Sequence, residues 1–102
     1  MQAALLRSKY PSLVPVILVT ELQLKKNKLL FPQHESVGML LFKIRQLALD
    51  ISFKDALFIT VRSYDGDQIA ISAGKTLDEL YNSHGSSDGF LYLYVTKESV
   101  FG

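Results

Sequence analysis

The sequence predicts a single α+β domain in which one long helix crosses a mixed sheet of four or five strands. Its 102 residues, 48% of them hydrophobic, suffice for one domain with one modest core. Two kinds of pattern alternate along the chain: runs rich in β-branched and aromatic residues, and stretches with apolar residues at helical spacing. Turn signals separate these runs, so the whole chain, residues 1–102, is assigned to one domain.

The first elements are a short helix and a hairpin. Residues 2–9 read as a helix that ends before Tyr10-Pro11, because a residue that precedes proline disfavours the helical region. Residues 14–22 are rich in β-branched side chains and predict a strand. A polar turn at residues 25–27 leads to a second strand at residues 28–32, which indicates a β-hairpin.

The long helix is predicted to begin after Ser36, a candidate N-cap. From there apolar residues recur at helical spacing, which is typical of an amphipathic helix packed on a core. The positions are 37, 40, 41, 44, 48 and 51. Met39, Phe42 and Leu49 fall outside this stripe, so they are expected to face solvent or a partner.

A second hairpin follows the long helix. Residues 56–62 predict a strand, and residues 68–72 predict the strand that returns beside it. Between them, Asp65-Gly66 is the dipeptide favoured in tight hairpin turns.

The chain then predicts a short helix, a loop and a last strand. Thr76 and Glu79 fit a capping box that starts a helix reaching Tyr81. After a loop at residues 82–89, the nearly continuous apolar run of residues 90–96 suits a strand buried on both sides. The order of these elements suggests a ubiquitin-like β-grasp with one short N-terminal helix (residues 1–10). A ferredoxin-like α+β domain is the alternative, although it would open strand–helix–strand.

Composition excludes several classes of function. The chain has no cysteine, which rules out disulfides, thiolate catalysis and sulfur-ligated zinc. Its two histidines lie apart in predicted loops, and no serine has a matching His and Asp pattern, so neither a metal site, a cofactor nor catalysis is expected. The longest apolar stretch, residues 13–19, is too short to span a membrane, and no secretory signal is visible, so a cytosolic protein is expected.

Charge is unevenly distributed along the chain. Residues 1–62 hold nine Lys/Arg and four Asp/Glu, a balance of +5, whereas residues 63–102 hold two and six, a balance of −4. The sum of +1 is too weak for a dedicated nucleic-acid binder. The uneven distribution does suggest one basic surface in the first part of the chain.

Several short motifs in this order resemble the autophagy-related-eight family of ubiquitin-like modifiers, which includes the GABARAP and microtubule-associated light-chain proteins. The matching segments span nearly the whole chain. They are Tyr10-Pro11, Pro15-Val16-Ile17, KLLFP at residues 28–32, Ala56-Leu57-Phe58, Glu79-Leu80-Tyr81, SDGFLYLYV at residues 87–95 and Phe101-Gly102.

The resemblance implies a modifier rather than an enzyme. The carboxylate of Gly102 would be activated and then passed through thiols of an activating and a conjugating enzyme to the amine of phosphatidylethanolamine. A glycine without a side chain can thread a narrow enzyme channel. Residues 97–102 would form a flexible C-terminal tail, and the protein would be a monomer in solution, cytoplasmic, with a lipid-anchored pool on autophagosomal membranes.

The resemblance also implies capture of receptors that carry aromatic-x-x-aliphatic motifs, by strand addition beside the second strand. The pocket for the aromatic residue would be lined by Leu6, Pro15, Ile17, Lys28, Leu30 and Phe90. The pocket for the aliphatic residue would be lined by Leu29, Phe31, Pro32 and Leu40 or Leu41. Alternation agrees with this division, since residues 28 and 30 face opposite to residues 29 and 31. Lys26 and Lys28 would attract acidic residues that flank the motif. A plain structural role, with these side chains in the core, is the alternative.

Three departures from the family leave other functions open. The chain has room for only one of the two N-terminal helices usual in the family, and its loop at residues 62–73 is longer than the family's usual loop. Leu47 or Ala48 stands where the family has an arginine late in the long helix, and Arg45 lies nearby. Two alternatives therefore remain: a modifier joined to a protein lysine, and an unconjugated β-grasp scaffold that binds peptides.

Overall fold

The computed structural model describes residues 3–52 and 54–99, and it confirms the α+β ubiquitin-like fold. The helices are α1 (Ala3–Lys9), α2 (Val37–Leu47) and α3 (Leu77–His84). The strands are β1 (Leu13–Thr20), β2 (Lys28–Pro32), β3 (Asp55–Arg62), β4 (Gln68–Ala70) and β5 (Leu91–Ser99). None of the helices in these ranges has the length and apolar character needed to cross a membrane.

The five strands form one sheet in the order β2-β1-β5-β3-β4. β1 and β5 are parallel neighbours at the centre, and the other pairs are antiparallel. The prediction that the last strand is central is confirmed. The ferredoxin-like alternative is wrong, because the sheet opens with the hairpin β1–β2 rather than with strand–helix–strand.

The core lies between α2 and one face of the sheet. On β1, alternate side chains face α2: Val14 and Val16 have no exposed surface and Leu18 is 2% exposed. Val37, Leu40 and Ile44 of α2, also without exposed surface, meet them at helical spacing. The predicted apolar stripe therefore faces the sheet over the first two turns of the helix.

Helix α2 begins as predicted and ends earlier than predicted. The Ser36 hydroxyl accepts a hydrogen bond from the Met39 N–H (3.2 Å), which confirms the N-cap. The helix stops at Leu47 because the following residue, Ala48, forms a bridge with Leu24 of the β1–β2 connection. Extending the stripe through positions 48 and 51 as helix was therefore wrong, although Ile51 still packs against the core.

The C-terminal half differs from prediction only at the ends of its elements. Thr76 forms both bonds of the capping box with Glu79, and α3 continues past Tyr81 to His84. The returning strand β4 is shorter than predicted, because the chain turns at residues 72–75, where the Lys75 N–H donates to the Ser72 carbonyl (3.2 Å).

Strand β5 runs three residues beyond its predicted end. Residues 97–99 pair with residues 55–57 at the start of β3, and Lys97 Nζ lies 4.0 Å from Asp55 Oδ2. A flexible tail beginning at residue 97 is therefore wrong for these three residues, because β3 offers them backbone partners. The rest of the predicted tail, with Gly102, lies outside the described residues.

Candidate functional site

The open side of β2 is the first feature of the candidate site. β2 is an edge strand that pairs only with β1 among the described strands. At the two ends of this pair, the Leu18 N–H donates to the Asn27 carbonyl (2.8 Å) and the Gln33 N–H donates to the Ser12 carbonyl (3.0 Å). Hydrogen-bonding residues alternate along an antiparallel ladder, so the backbone groups of Lys28 and Leu30 point away from β1. Their N–H groups can donate hydrogen bonds to another extended segment, and their carbonyls can accept hydrogen bonds from it.

The side chains predicted for the aromatic pocket gather on the sheet face opposite α2. Leu30 is paired with Pro15 and Lys28 with Ile17. Pro15 is buried, Leu30 and Ile17 are half-buried, and Lys28 is exposed. The parallel register of β1 and β5, extended by one residue, places the half-buried Phe90 beside Pro15.

Helix α1, which carries Leu6, is fastened to this face by contacts that the sequence did not reveal. Arg7 Nη1 donates to the Leu13 carbonyl (2.7 Å), and its guanidinium carbon lies 4.9 Å from the centre of the Tyr81 ring. The Tyr81 hydroxyl in turn donates to the Gly89 carbonyl (2.7 Å). Arg7 and Tyr81 are far apart in sequence, and neither stands in a local motif that predicts the contact.

Gly89 completes the attachment of α1. Its φ of +88° is one that side-chain-bearing residues rarely adopt, and a Cβ placed there would lie only 2.9 Å from the Ala3 Cβ. Ala3 itself has no exposed surface. The helix therefore sits directly against the backbone of Gly89, and the dipeptide Asp88-Gly89 is the one sequence signal for this position.

The side chains predicted for the aliphatic pocket face the α2 side of the sheet. Leu29 is 8% exposed and Phe31 is half-buried, and they pair with Val16 and Val14. Pro32 at the end of the strand is exposed. Leu40 has no exposed surface, whereas the adjacent Leu41 is half-buried. Of the two leucines named for this pocket, Leu41 is therefore the one with surface available to a ligand.

Two groups of charges border the site. Lys26 in the β1–β2 connection and Lys28 on β2 are both exposed beside the open edge. At the start of β5, the Tyr92 hydroxyl donates to Asp88 (2.5 Å), and this bond, with a weaker one from the Phe90 N–H, holds the pKa of Asp88 below its ordinary value. The same bond raises the pKa of Tyr92. Asp88 therefore stays ionised near Phe90 at neutral pH.

The end of β5 pairs with the start of β3, which is bonded in turn to α2. Ser99 pairs with Asp55, and the Asp55 carbonyl accepts a hydrogen bond from Arg45 Nη2 of α2 (2.5 Å). Arg45 thus links the long helix to β3 at the residue that pairs with the end of β5. Within residues 3–52 and 54–99, no group of three His, Cys, Asp or Glu side chains could hold a metal ion.

Comparison with protein families gives a match over the full sequence. The family model described as autophagy protein Atg8, ubiquitin-like, matches residues 1–102. Autophagy-related protein 8e of Arabidopsis thaliana is 30% identical over 106 aligned positions, which cover 99% of this chain and 82% of the relative. Autophagy-related protein 8 of Schizosaccharomyces pombe is 31% identical, with 95% of this chain and 79% of the relative covered.

Solved structures agree with these matches. The crystal structure of Trypanosoma brucei ATG8 superposes with a TM-score of 0.80 at 24% identity, over 98% of this chain and 85% of that one, which supports the fold. Plasmodium falciparum Atg8, solved in complex with a peptide of P. falciparum Atg3, superposes with a TM-score of 0.73 at 25% identity, over 95% of this chain and 85% of that one.

Proposed function

The chain belongs to the Atg8 family of ubiquitin-like autophagy proteins, and we propose that it is joined through Gly102 to phosphatidylethanolamine and recruits receptors to autophagic membranes. Members of this family are modifiers, not enzymes. The single observation that carries the docking half of the proposal is the open edge of β2, where Lys28 and Leu30 present free backbone groups beside the pocket.

The proposed conjugation follows from the chemistry of a terminal carboxylate. ATP converts the Gly102 carboxylate to an acyl-adenylate with release of pyrophosphate, and a thiol of the activating enzyme displaces AMP. The acyl group passes to a thiol of the conjugating enzyme, and the lipid amine then displaces that thiolate to form an amide. Because this chain has no cysteine, both thioester sulfurs belong to partner enzymes.

The complex of P. falciparum Atg8 with an Atg3 peptide supports a partner of this kind. We propose that the present chain likewise binds activating and conjugating enzymes of the autophagy system. Attachment to lipid would then add a membrane-bound pool on autophagosomes to a cytoplasmic one.

Reconstitution tests the conjugation. The protein is incubated with cognate activating and conjugating enzymes, ATP and liposomes containing phosphatidylethanolamine, and the mass of its C-terminal peptide is measured. We expect a phosphatidylethanolamine adduct on Gly102, absent from liposomes of phosphatidylcholine alone. An unmodified Gly102, with the enzymes active on a control family member, refutes lipid conjugation. An adduct on a protein lysine instead favours the branch that modifies proteins.

We propose that an aromatic-x-x-aliphatic segment adds to β2, with its aromatic side chain between Leu6, Leu30 and Phe90. Its backbone would bond to Lys28 and Leu30, and its aliphatic residue would reach Leu41 and Pro32. Extension of a sheet supplies backbone hydrogen bonds, while the pockets supply selectivity. Lys26 and Lys28 would speed the approach of a motif with acidic flanks.

Peptide titration tests this docking site. Truncation of Leu30 to alanine removes apolar surface from the proposed pocket, and we expect roughly tenfold weaker binding, about 1.4 kcal/mol. Leu49→Ala is the matched control, since Leu49 is 64% exposed and lies outside the proposed pockets. Calorimetry with an acidic aromatic-x-x-aliphatic peptide measures both. Equal affinity of the peptide for folded Leu30→Ala and wild-type protein contradicts the docking site. If the peptide binds but the reconstitution gives no conjugate, the chain is an unconjugated scaffold that binds peptides.

A further inference from the structure

Helix α2 presents apolar side chains on the side that faces away from the core. At 100° per residue, Met39 and Phe42 lie opposite the buried Val37 and Ile44, and Leu49 follows two residues after the end of the helix. The exposed fractions of Met39, Phe42 and Leu49 are 50%, 58% and 64%. The outward side of a surface helix is normally polar. We call Met39, Phe42 and Leu49 the α2 ridge; it confirms the expectation that these residues leave the core.

Positive charge flanks the α2 ridge. Lys43 projects on one side by the same helical geometry, and on the other side Arg45 donates from Nη2 to the Asp55 carbonyl. The Lys25 N–H donates to the Leu47 carbonyl (2.9 Å), and the Leu49 N–H donates to the Gln23 carbonyl (2.8 Å), so the basic β1–β2 connection lies beside the end of the ridge. Residues 21–54 carry six Lys/Arg against three Asp/Glu. An apolar strip with basic borders matches the boundary between headgroups and acyl chains of an anionic bilayer.

The ridge also ends near the point from which the chain leads to the proposed lipid. Ser99 pairs with Asp55, and Asp55 bonds to Arg45 in the last turn of α2. The three residues 100–102 span at most about 10 Å. A lipid attached at Gly102 therefore keeps the C-terminal end of α2 close to the bilayer surface.

We propose that the α2 ridge lies on the membrane, with Phe42 and Leu49 inserted at the headgroup boundary and Lys43 and Lys25 against anionic lipids. This inference rests on the proposed function, because the lipid anchor supplies the proximity. The lipid anchor holds the protein at the bilayer, so a weakly amphipathic contact that is too weak to form alone becomes an intramolecular event at high effective concentration. The ridge thereby fixes which face of the protein points towards the cytoplasm.

The test replaces enzymatic attachment with a chemical one, so that it does not depend on conjugation. Gly102→Cys introduces the sole thiol of the chain, which couples to maleimide-bearing lipid in vesicles of phosphatidylcholine with phosphatidylserine. Phe42→Trp introduces the sole indole, and brominated lipids quench an indole that enters the bilayer. Tyr64→Trp is the matched control, because Tyr64 is fully exposed in the β3–β4 turn.

We expect a blue shift and about twofold or greater quenching of the Phe42→Trp reporter after coupling, weaker without phosphatidylserine, and neither change for Tyr64→Trp. An unshifted Phe42→Trp reporter on coupled vesicles overturns the proposal, as does equal quenching of both reporters. A shift that grows with protein concentration without vesicles assigns the ridge to a second copy and also overturns it. Failure of enzymatic conjugation, by contrast, would leave these measurements unaffected and refute only the proposed function.

Discussion

Replacement of Gly89 by alanine tests how helix α1 is held on the sheet. Gly89 has φ = +88°, and an added Cβ would lie 2.9 Å from the Ala3 Cβ. Two carbon atoms in favourable contact are about 3.5–4.0 Å apart. The substitution therefore imposes a backbone conformation unsuited to alanine and forces α1 away from the start of β5.

Gly66 provides the matched comparison that separates these two effects. It has nearly the same φ, +92°, but nothing lies within 4 Å of an added Cβ. Gly66→Ala should cost about 1–2 kcal/mol of unfolding free energy from the backbone alone. Gly89→Ala should cost that amount and about 1–3 kcal/mol more, because one methyl group is forced into a packed contact. A domain of this size has about 5–15 kcal/mol available, so both variants are expected to fold.

Urea unfolding followed by circular dichroism measures both free energies. Adding Ala3→Gly to each variant completes the test, since removal of the Ala3 Cβ relieves the overlap at Gly89 and does nothing for Gly66. We expect the Ala3→Gly change to recover about 1 kcal/mol or more only with Gly89→Ala, a coupling that a double-mutant cycle isolates. If Gly89→Ala and Gly66→Ala destabilise equally, the close approach of α1 to Gly89 is refuted.

Three further expectations concern the core, a helix cap and a surface carboxylate. Ile44→Ala, at a side chain with no exposed surface, should lower the unfolding free energy by about 2–5 kcal/mol in the same urea assay. Thr76→Ala should lower the unfolding free energy by about 1 kcal/mol through loss of the helix cap, and should let the pKa of Glu79, held low mainly by its bonds to Thr76, return towards 4.5. Because the folded pKa of Glu79 is depressed in the wild-type protein, its carboxylate stabilises the fold above pH 4.5, and this effect is lost as pH falls through the folded value. An equal slope of unfolding free energy against pH in wild-type and Thr76→Ala proteins would contradict this. Tyr92→Phe should raise the pKa of Asp88 towards 3.8, as read by carboxyl NMR titration; an unchanged titration would show that the hydroxyl does not bond to Asp88.

Local signals in the sequence predict where most elements begin. Ser36 and Thr76 cap their helices as their short side chains indicate. Gly66 adopts a positive φ in the predicted turn. Each of these features depends on a few neighbouring residues, so the sequence alone contains the information.

The ends of elements depend on contacts between distant segments, which periodicity does not contain. Ala48 leaves the helix because Leu24 bridges to it. β5 continues to Ser99 because the start of β3 lies alongside. In both places the local pattern permits either outcome, and tertiary pairing decides.

The candidate site divides in the same way. Strand alternation correctly places Leu30 and Leu29 on opposite faces of β2. Helical periodicity could not separate Leu40 from Leu41, because adjacent residues on a helix both fall within a broad apolar arc. Only the packing of the fold shows that Leu40 is wholly covered. The contact of Arg7 with Tyr81 is likewise a product of the fold.

The proposed docking edge and the α2 ridge can operate together because the sheet separates them. The aromatic pocket around Leu30 lies on the face opposite α2, whereas Phe42 points away from the sheet altogether. With the ridge on a bilayer, the aromatic pocket faces away from the lipid and its backbone edge remains lateral. We therefore expect Leu30→Ala to leave quenching of the Phe42→Trp reporter unchanged, and Phe42→Trp to leave peptide affinity unchanged. Loss of peptide binding on coupled vesicles, with full binding in solution, would show that the two surfaces compete and that the orientation argued from Arg45 and Asp55 is wrong.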